Sequence, residues 1–316
     1  MKEKIIEYDI ILKSELQEKG TIDLDRIAFL AKSISNIAKG ALQIRLGGIS
    51  NKQGKKPKFL DEALNIRLKG IKESSTLLEL ESPTFASSIK AIQVNAFQPE
   101  VAEELPNQTP MSLFMLAYQE AFDDNDYDKN LLDKALVKNL IDLKSFFRSN
   151  NEELIISNRG SLPELHLKKS DFNKIKLLED SIPEPQNVVI NGIIDILEHS
   201  KSKVTVKTEQ GNLLGNITNK FQQNVIKDFW GKDATIYGIG HFKPNGKLHY
   251  VEIERIYEST EEDKYFSKIP FSENVLQQIQ KQSSKSPARN WMNEIAGKWP
   301  GQESDEEFEK LLKELK

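Results

Sequence analysis

Asp233-Ala-Thr-Ile-Tyr-Gly-Ile-Gly-His-Phe-Lys-Pro-Asn-Gly-Lys-Leu-His-Tyr-Val-Glu-Ile-Glu-Arg-Ile-Tyr257 reads as two β-rich runs on either side of a turn. Strands are expected over 233–242 and 247–257, with Pro244-Asn245-Gly246 turning the chain between them. The texture extends upstream: residues 187–259 hold seven of the chain's sixteen glycines, set between short β-rich runs. Further strands are expected at 188–197, 203–208 and 212–217. A short helix over 219–229 follows, capped by Thr218 and closed by Gly231. Three strands, a helix and two strands is the order of an OB-like β-barrel, and 73 residues suit it. An SH3-like barrel is the structural rival.

Upstream of the barrel, Ser181-Ile-Pro-Glu-Pro-Gln-Asn187 is a stiff proline hinge and the best domain boundary in the chain. Residues 5–13 are densely apolar and β-branched, an opening strand. Thr21 or Asp23 can cap a helix in which Ile27, Leu30, Ile34, Ile37, Ala38 and Ala41 recur at helical spacing, stopping at Gly47-Gly48. Residues 63–71 and 76–80 alternate around Lys72-Glu73-Ser74-Ser75 as a hairpin, so a small α+β unit is expected to end near Pro83. Residues 95–109 read as a linker. Two helices follow, 111–122 and 131–147, joined by an acidic connector that lacks the Gly and Glu of a calcium loop. The expected fold is therefore α+β: an α+β unit with helical extension over 1–150, an irregular connector with a Pro hinge over 151–185, the barrel over 186–259, a short helix and linker over 260–287, and a helical tail over 288–316.

Composition bounds the function. The 316 residues are 38% hydrophobic and 29% charged, with no run long enough to cross a membrane as a helix. The acidic first residues reach no apolar h-region, so no signal peptide is expected. There is no cysteine, which excludes disulfides, thiol catalysis and cysteine-ligated metals. Both features point to the cytoplasm. A net charge of -4 argues against a protein that coats nucleic acid with its whole surface. Charge is uneven all the same. Residues 26–60 carry eight bases and no acid, whereas 99–137 carry nine acids against two lysines. Either the two stretches face each other or are simply solvated faces, or the basic loop at 51–58 meets a phosphate backbone.

No catalytic motif stands out. There is no G-x-S-x-G and no phosphate-binding P-loop, and Gly238-Ile239-Gly240 lies within a strand rather than before a helix. No enzymatic activity and no cofactor are expected. His241 and His249 fall in one hairpin, where a metal shared with Glu252 or Glu254 is conceivable, but a surface or core histidine is commoner. The barrel's aromatics, among them Tyr237, Tyr250 and Tyr257, lie between lysines in the manner of single-strand binding. Tyr237 shares a face with Ile239, which suits a core position instead. If the barrel binds nucleic acid, Lys243, Lys247 and Tyr250 around the Asn245-Gly246 turn are its expected contacts.

The tail is the most informative segment. Trp291, Ile295 and Trp299 form one helical stripe ended by Pro300-Gly301. Ser304-Asp305-Glu306-Glu307 is a capping box for a second helix carrying Phe308, Leu311, Leu312 and Leu315. Helices this short must pack on something, on this chain's own domains or in a partner's groove. The segment Ile295-Ala-Gly-Lys-Trp-Pro-Gly-Gln-Glu-Ser-Asp-Glu-Glu-Phe308, followed by Leu311 and Leu312, resembles the C-terminal tails of antitoxin-type bacterial proteins encoded beside PIN-domain ribonuclease toxins. The glycine-spaced β-module also looks like modules of bacterial proteins that carry such tails. The resemblance implies a tail laid across the toxin's groove, with Arg289 or Lys298 meeting its metal-binding carboxylates and Trp291, Ile295, Trp299, Phe308, Leu311 and Leu312 as apolar anchors.

Overall fold

A computed structural model describes residues 4–16, 18–51, 63–72, 76–86, 104–123, 132–158, 162–198, 203–217 and 225–273. The chain divides into two compact units, Met1–Ser272 and Glu273–Lys316. The tail residues Arg289, Trp291, Ile295, Lys298, Trp299, Phe308, Leu311 and Leu312 lie outside the described residues, as do the basic loop beyond Asn51 and the acidic connector beyond Asp123.

Alternation along strand β1 (Ile5–Lys13) turns Tyr8, Ile10 and Leu12 to one side, where all three are buried. This strand is the middle of a five-stranded antiparallel sheet. On one side lie β3 (Thr76–Pro83) and then β2 (Arg67–Lys72); on the other lie β4 (Glu153–Ser157) and then β5 (Leu165–Lys168). Helix α1 (Leu24–Gly47) buries Leu30, Ile34, Ile37, Ala41 and Ile44, and ends where Gly48 turns left-handed (φ 77°) and donates its N–H to the Ile44 carbonyl. Helix α2 (Pro110–Phe122) starts on a reciprocal cap: Thr109 Oγ1 accepts from the Ser112 N–H at 3.0 Å, and Ser112 Oγ accepts from the Thr109 N–H at 2.8 Å. Helix α3 (Lys134–Asp142) runs on into a 3₁₀ turn at Leu143–Phe146. With helix α4 (Phe172–Ser181), these elements share one apolar core that runs from Tyr8 to Ile182.

That continuity corrects the sequence reading. The α+β unit does not end near Pro83, and residues 151–185 are not an irregular connector; they supply β4, β5 and α4. The two strands are five and four residues long, too short to show a period, and the pairing of β4 with β1, on which β5 then builds, is non-local. Among the described residues the two charge runs touch at an ion pair, Arg45 of α1 lying 3.7 Å from Glu104.

The second body of this unit is a closed barrel. Its strands are β6 (Gln186–Glu198), β7 (Lys203–Thr208), β8 (Gly211–Ile217), β9 (Asp233–Phe242) and β10 (Leu248–Glu258). They are ordered β10-β8-β7-β6-β9, with β9 bonded to β10 across the closure. The β8–β10 pair is parallel and every other pair antiparallel. The interior is filled by Ile190, Ile194, Val206, Ile236, Val251 and Ile253, among others. Of the helix expected over 219–229, the described part is a 3₁₀ turn at Ile226–Phe229.

One ion pair is wholly inside the α+β body. Arg26 Nη2 donates to Glu152 Oε2 at 2.7 Å, and the guanidinium lies 4.3 Å from the Phe146 ring centroid. Glu152 also accepts from Ser14 Oγ at 2.6 Å and from the Arg148 N–H at 2.7 Å. Burial pushes this carboxyl's pKa up, but the hydrogen bonds from Arg26, Ser14 and Arg148 outweigh it and hold the group below the usual glutamate range. The pair pins the start of α1, the end of β1 and the approach to β4 together. Removing one partner strands the other charge, so Arg26→Met or Glu152→Ala should each destabilise the fold by about 3–5 kcal/mol in urea unfolding. A loss below about 1 kcal/mol would show that the site relaxes or hydrates.

Candidate functional site

The β9–β10 turn carries the two lysines expected to meet nucleic acid. Gly246 (φ 82°) donates to the Lys243 carbonyl, and Asn245 Oδ1 accepts from the Lys247 N–H at 3.0 Å. A side chain at Gly246 would strike the Ser272 carbonyl at 2.2 Å, so the turn needs glycine for its φ and for its neighbour. Lys247 is exposed and Lys243 half-buried.

Tyr250, the third expected contact, is placed differently. It is only 6% exposed, and its ring stacks on His241 at 4.3 Å with 9° between planes. No open ring face remains there for a base. His241 Nε2 stands 3.4 Å from Glu252 Oε1, and His249 meets the Tyr250 ring edge-on at 5.5 Å. Among the described residues no group of three His, Asp or Glu side chains is set to hold a metal, so the His241, His249, Glu252 and Glu254 set is not assembled.

This cluster faces the α+β body. Asp133 Oδ2 accepts from the Ser50 N–H at 2.7 Å, while its Oδ1 accepts from Ser50 Oγ at 2.5 Å and from the Leu136 N–H at 2.8 Å. Its charge acts on all three rings. Burial raises the Tyr250 phenol, and Asp133 and Glu252 add to the rise. Burial lowers His241, against the pull of Glu252 and Asp133. Burial holds His249 down to about 4, with Lys243 and His241 pushing the same way and Asp133 opposing. Next to this patch, Leu214 on β8 packs so close to Gly48 that a Cβ there would lie 2.9 Å from it.

A second surface lies on the outside of β6, β9 and β10; sequence reasoning named its two tyrosines among the barrel aromatics but placed the expected contacts at the turn instead. A groove of about 500 Å³ is lined by Asn187, Val189, Tyr237, Glu254, Arg255 and Tyr257, with Gly238 at its floor. Tyr237 and Tyr257 meet edge-to-face at 5.6 Å and remain 39% and 49% exposed. The core position considered for Tyr237 is therefore wrong. The inward positions of β9 are Ala234, Ile236, Gly238, Gly240 and Phe242, and a Cβ at Gly238 would lie 2.1 Å from the Glu252 carbonyl. Glycine at inward positions inverts the apparent parity of the strand, and that was the available signal. A register shift between Ile253 and Arg255 accompanies this close approach on β10.

Compared with protein-family models, with curated proteins and with solved structures, the chain matches none.

The two histidines give this face a pH signature. Both are lowered in the folded state, so the unfolded chain binds protons first as pH falls below about 6.5. Their contribution is present at neutral pH and is lost on the way down towards about 4 for His249. From about pH 7 to about pH 5, His249 alone should remove roughly 2 kcal/mol of stability. Urea unfolding at both pH values should show a smaller acid loss for His249→Gln than for the parent chain. Equal losses would mean that His249 is solvated.

Proposed function

We propose that this is a cytoplasmic, non-enzymatic bacterial binding protein whose C-terminal segment engages and inhibits a partner protein, of the PIN-type ribonuclease class. The observation that carries this reading is that the chain divides into two compact units at Ser272 and Glu273, with the tail residues in the second. The tail's Trp291, Ile295, Trp299, Phe308, Leu311 and Leu312 are the anchors. Arg289 or Lys298 supplies the cation for an acidic, metal-binding partner site. Tryptophan and arginine are the side chains that most often dominate such interfaces.

A second reading is favoured by the barrel's strand order. Numbered within the barrel, its strands run 1-2-3-5-4 and close back on 1, with the parallel pair between 3 and 5. We read this as OB-type rather than SH3-like. Such barrels hold oligonucleotides on their outer surface and at the loop between strands four and five, here the Lys243–Lys247 turn. Replacing Lys243 and Lys247 by alanine should flatten the salt dependence of single-strand binding, because fewer phosphate contacts release counterions.

Truncation after Ser286 should abolish partner capture and leave the thermal midpoint of the body nearly unchanged. Trp291→Ala or Trp299→Ala should each cost about 2 kcal/mol or more in partner affinity, whereas Lys310→Ala and Lys313→Ala should cost little. Calorimetric unfolding of the truncated chain checks the premise. A drop of several kcal/mol would make the tail part of this protein's own core and remove the reading's support.

A further inference from the structure

We propose that the groove over β6, β9 and β10 is a site for a short single-stranded nucleic-acid segment, with bases stacked on Tyr237 and Tyr257 and one phosphate held by Arg255. The proposal rests on the reading of the barrel as a nucleic-acid module, and it adds to the turn lysines a stacking surface on the strands.

Three observations lead there. Two large rings stand side by side at 39% and 49% exposure, in a groove of about 500 Å³. That volume is within the range of small-ligand sites, roughly 300–1,000 Å³. Leaving both rings in water forgoes the gain of burying them, which is the kind of exposed apolar surface that marks a binding site. Arg255, on the groove wall, makes no ion pair with a described carboxylate, so its planar donor fork is available to an oxyanion. Asn187 and Glu254 add an amide and a carboxylate at the same wall, groups that can pair with the polar edge of a base.

The charge balance narrows the ligand. One guanidinium and one carboxylate leave the groove near neutral, so it is no funnel for a polyanion. Within the groove, stacking has to carry the affinity, with a single phosphate contact at Arg255. A neutral oligosaccharide can also stack on tyrosine, but it would leave Arg255 without a counter-charge. The other end of the same strand pair cannot serve in the same way, because Tyr250 and His241 already stack on each other there.

The test uses the full chain and labelled twelve-nucleotide single strands of thymidine and of uridine, read by fluorescence anisotropy across a salt series. Tyr237→Ala and Tyr257→Ala should each weaken binding roughly 5- to 150-fold, and the phenylalanine variants should restore most of it. Arg255→Gln should reduce the slope of log affinity against log salt by about 0.7, the share of one phosphate on a single strand. If a tyrosine-to-alanine variant fails to fold, the Arg255→Gln slope decides. Binding that survives all three substitutions but is lost in Lys243→Ala/Lys247→Ala overturns this site and leaves the barrel reading standing. No binding by the parent chain even at low salt overturns both. Tyrosine-dependent binding of an uncharged oligosaccharide in place of the strands overturns the nucleotide assignment.

Discussion

A buried carboxylate survives only where donors replace the water it has lost, and Asp133 is the point at which this chain supplies them. Two come from Ser50, just beyond the end of α1, and one from the Leu136 N–H in the first turn of α3. The carboxylate thus fixes the exit of the longest helix against the entry of another, with its negative charge at the positive end of α3. The same charge acts on His241, His249 and Tyr250 of the barrel. One side chain therefore serves the packing of the first body and the electrostatics of the second. Arg26 and Glu152 do comparable work within the α+β body alone, between the start of α1 and the approach to β4.

Sequence pattern made part of this legible. β1, α1 and the β2–β3 hairpin repeat their apolar residues long enough to declare a period, and Gly48 marks the end of α1. All five barrel strands can be read for the same reason, together with the glycine turn at Gly246. What the pattern hides is partnership across distance. β4 returns some 140 residues after β1 to pair beside it, and no local signal near Leu154 or Ile156 names that neighbour. The long apolar stripe from Leu132 to Phe147 likewise conceals where α3 tightens into a 3₁₀ turn.

The candidate surfaces divide along the same line. Lys243 and Lys247 are fixed by the turn's own chemistry, which is local, and their position follows from sequence. Tyr250 and Tyr237 are decided by what packs on each barrel face. At Tyr250 the answer is His241, Asp133 and the α+β body; nothing within residues 247–257 announces them. At Tyr237 the answer is local but inverted. Gly238 and Gly240 take the crowded inward positions, where Val188, Leu248 and the Glu252 carbonyl leave no room for a Cβ.

These two exchanges have a common consequence for how the barrel presents itself. A small closed barrel has one interior and an exterior it must dispose of strand by strand. Along β8 and the first half of β10, the exterior is given over to Leu214 and Tyr250, beside Gly48 and within the field of Asp133. Past the register shift at Ile253 and Arg255, β10 instead sets Arg255 and Tyr257 into the groove wall beside Tyr237. The same strand thus belongs to a packed, desolvated face at one end and to an open aromatic groove at the other. Gly238 is what permits the change, because any larger residue there would push the Glu252 carbonyl away and with it the shift that separates the two faces.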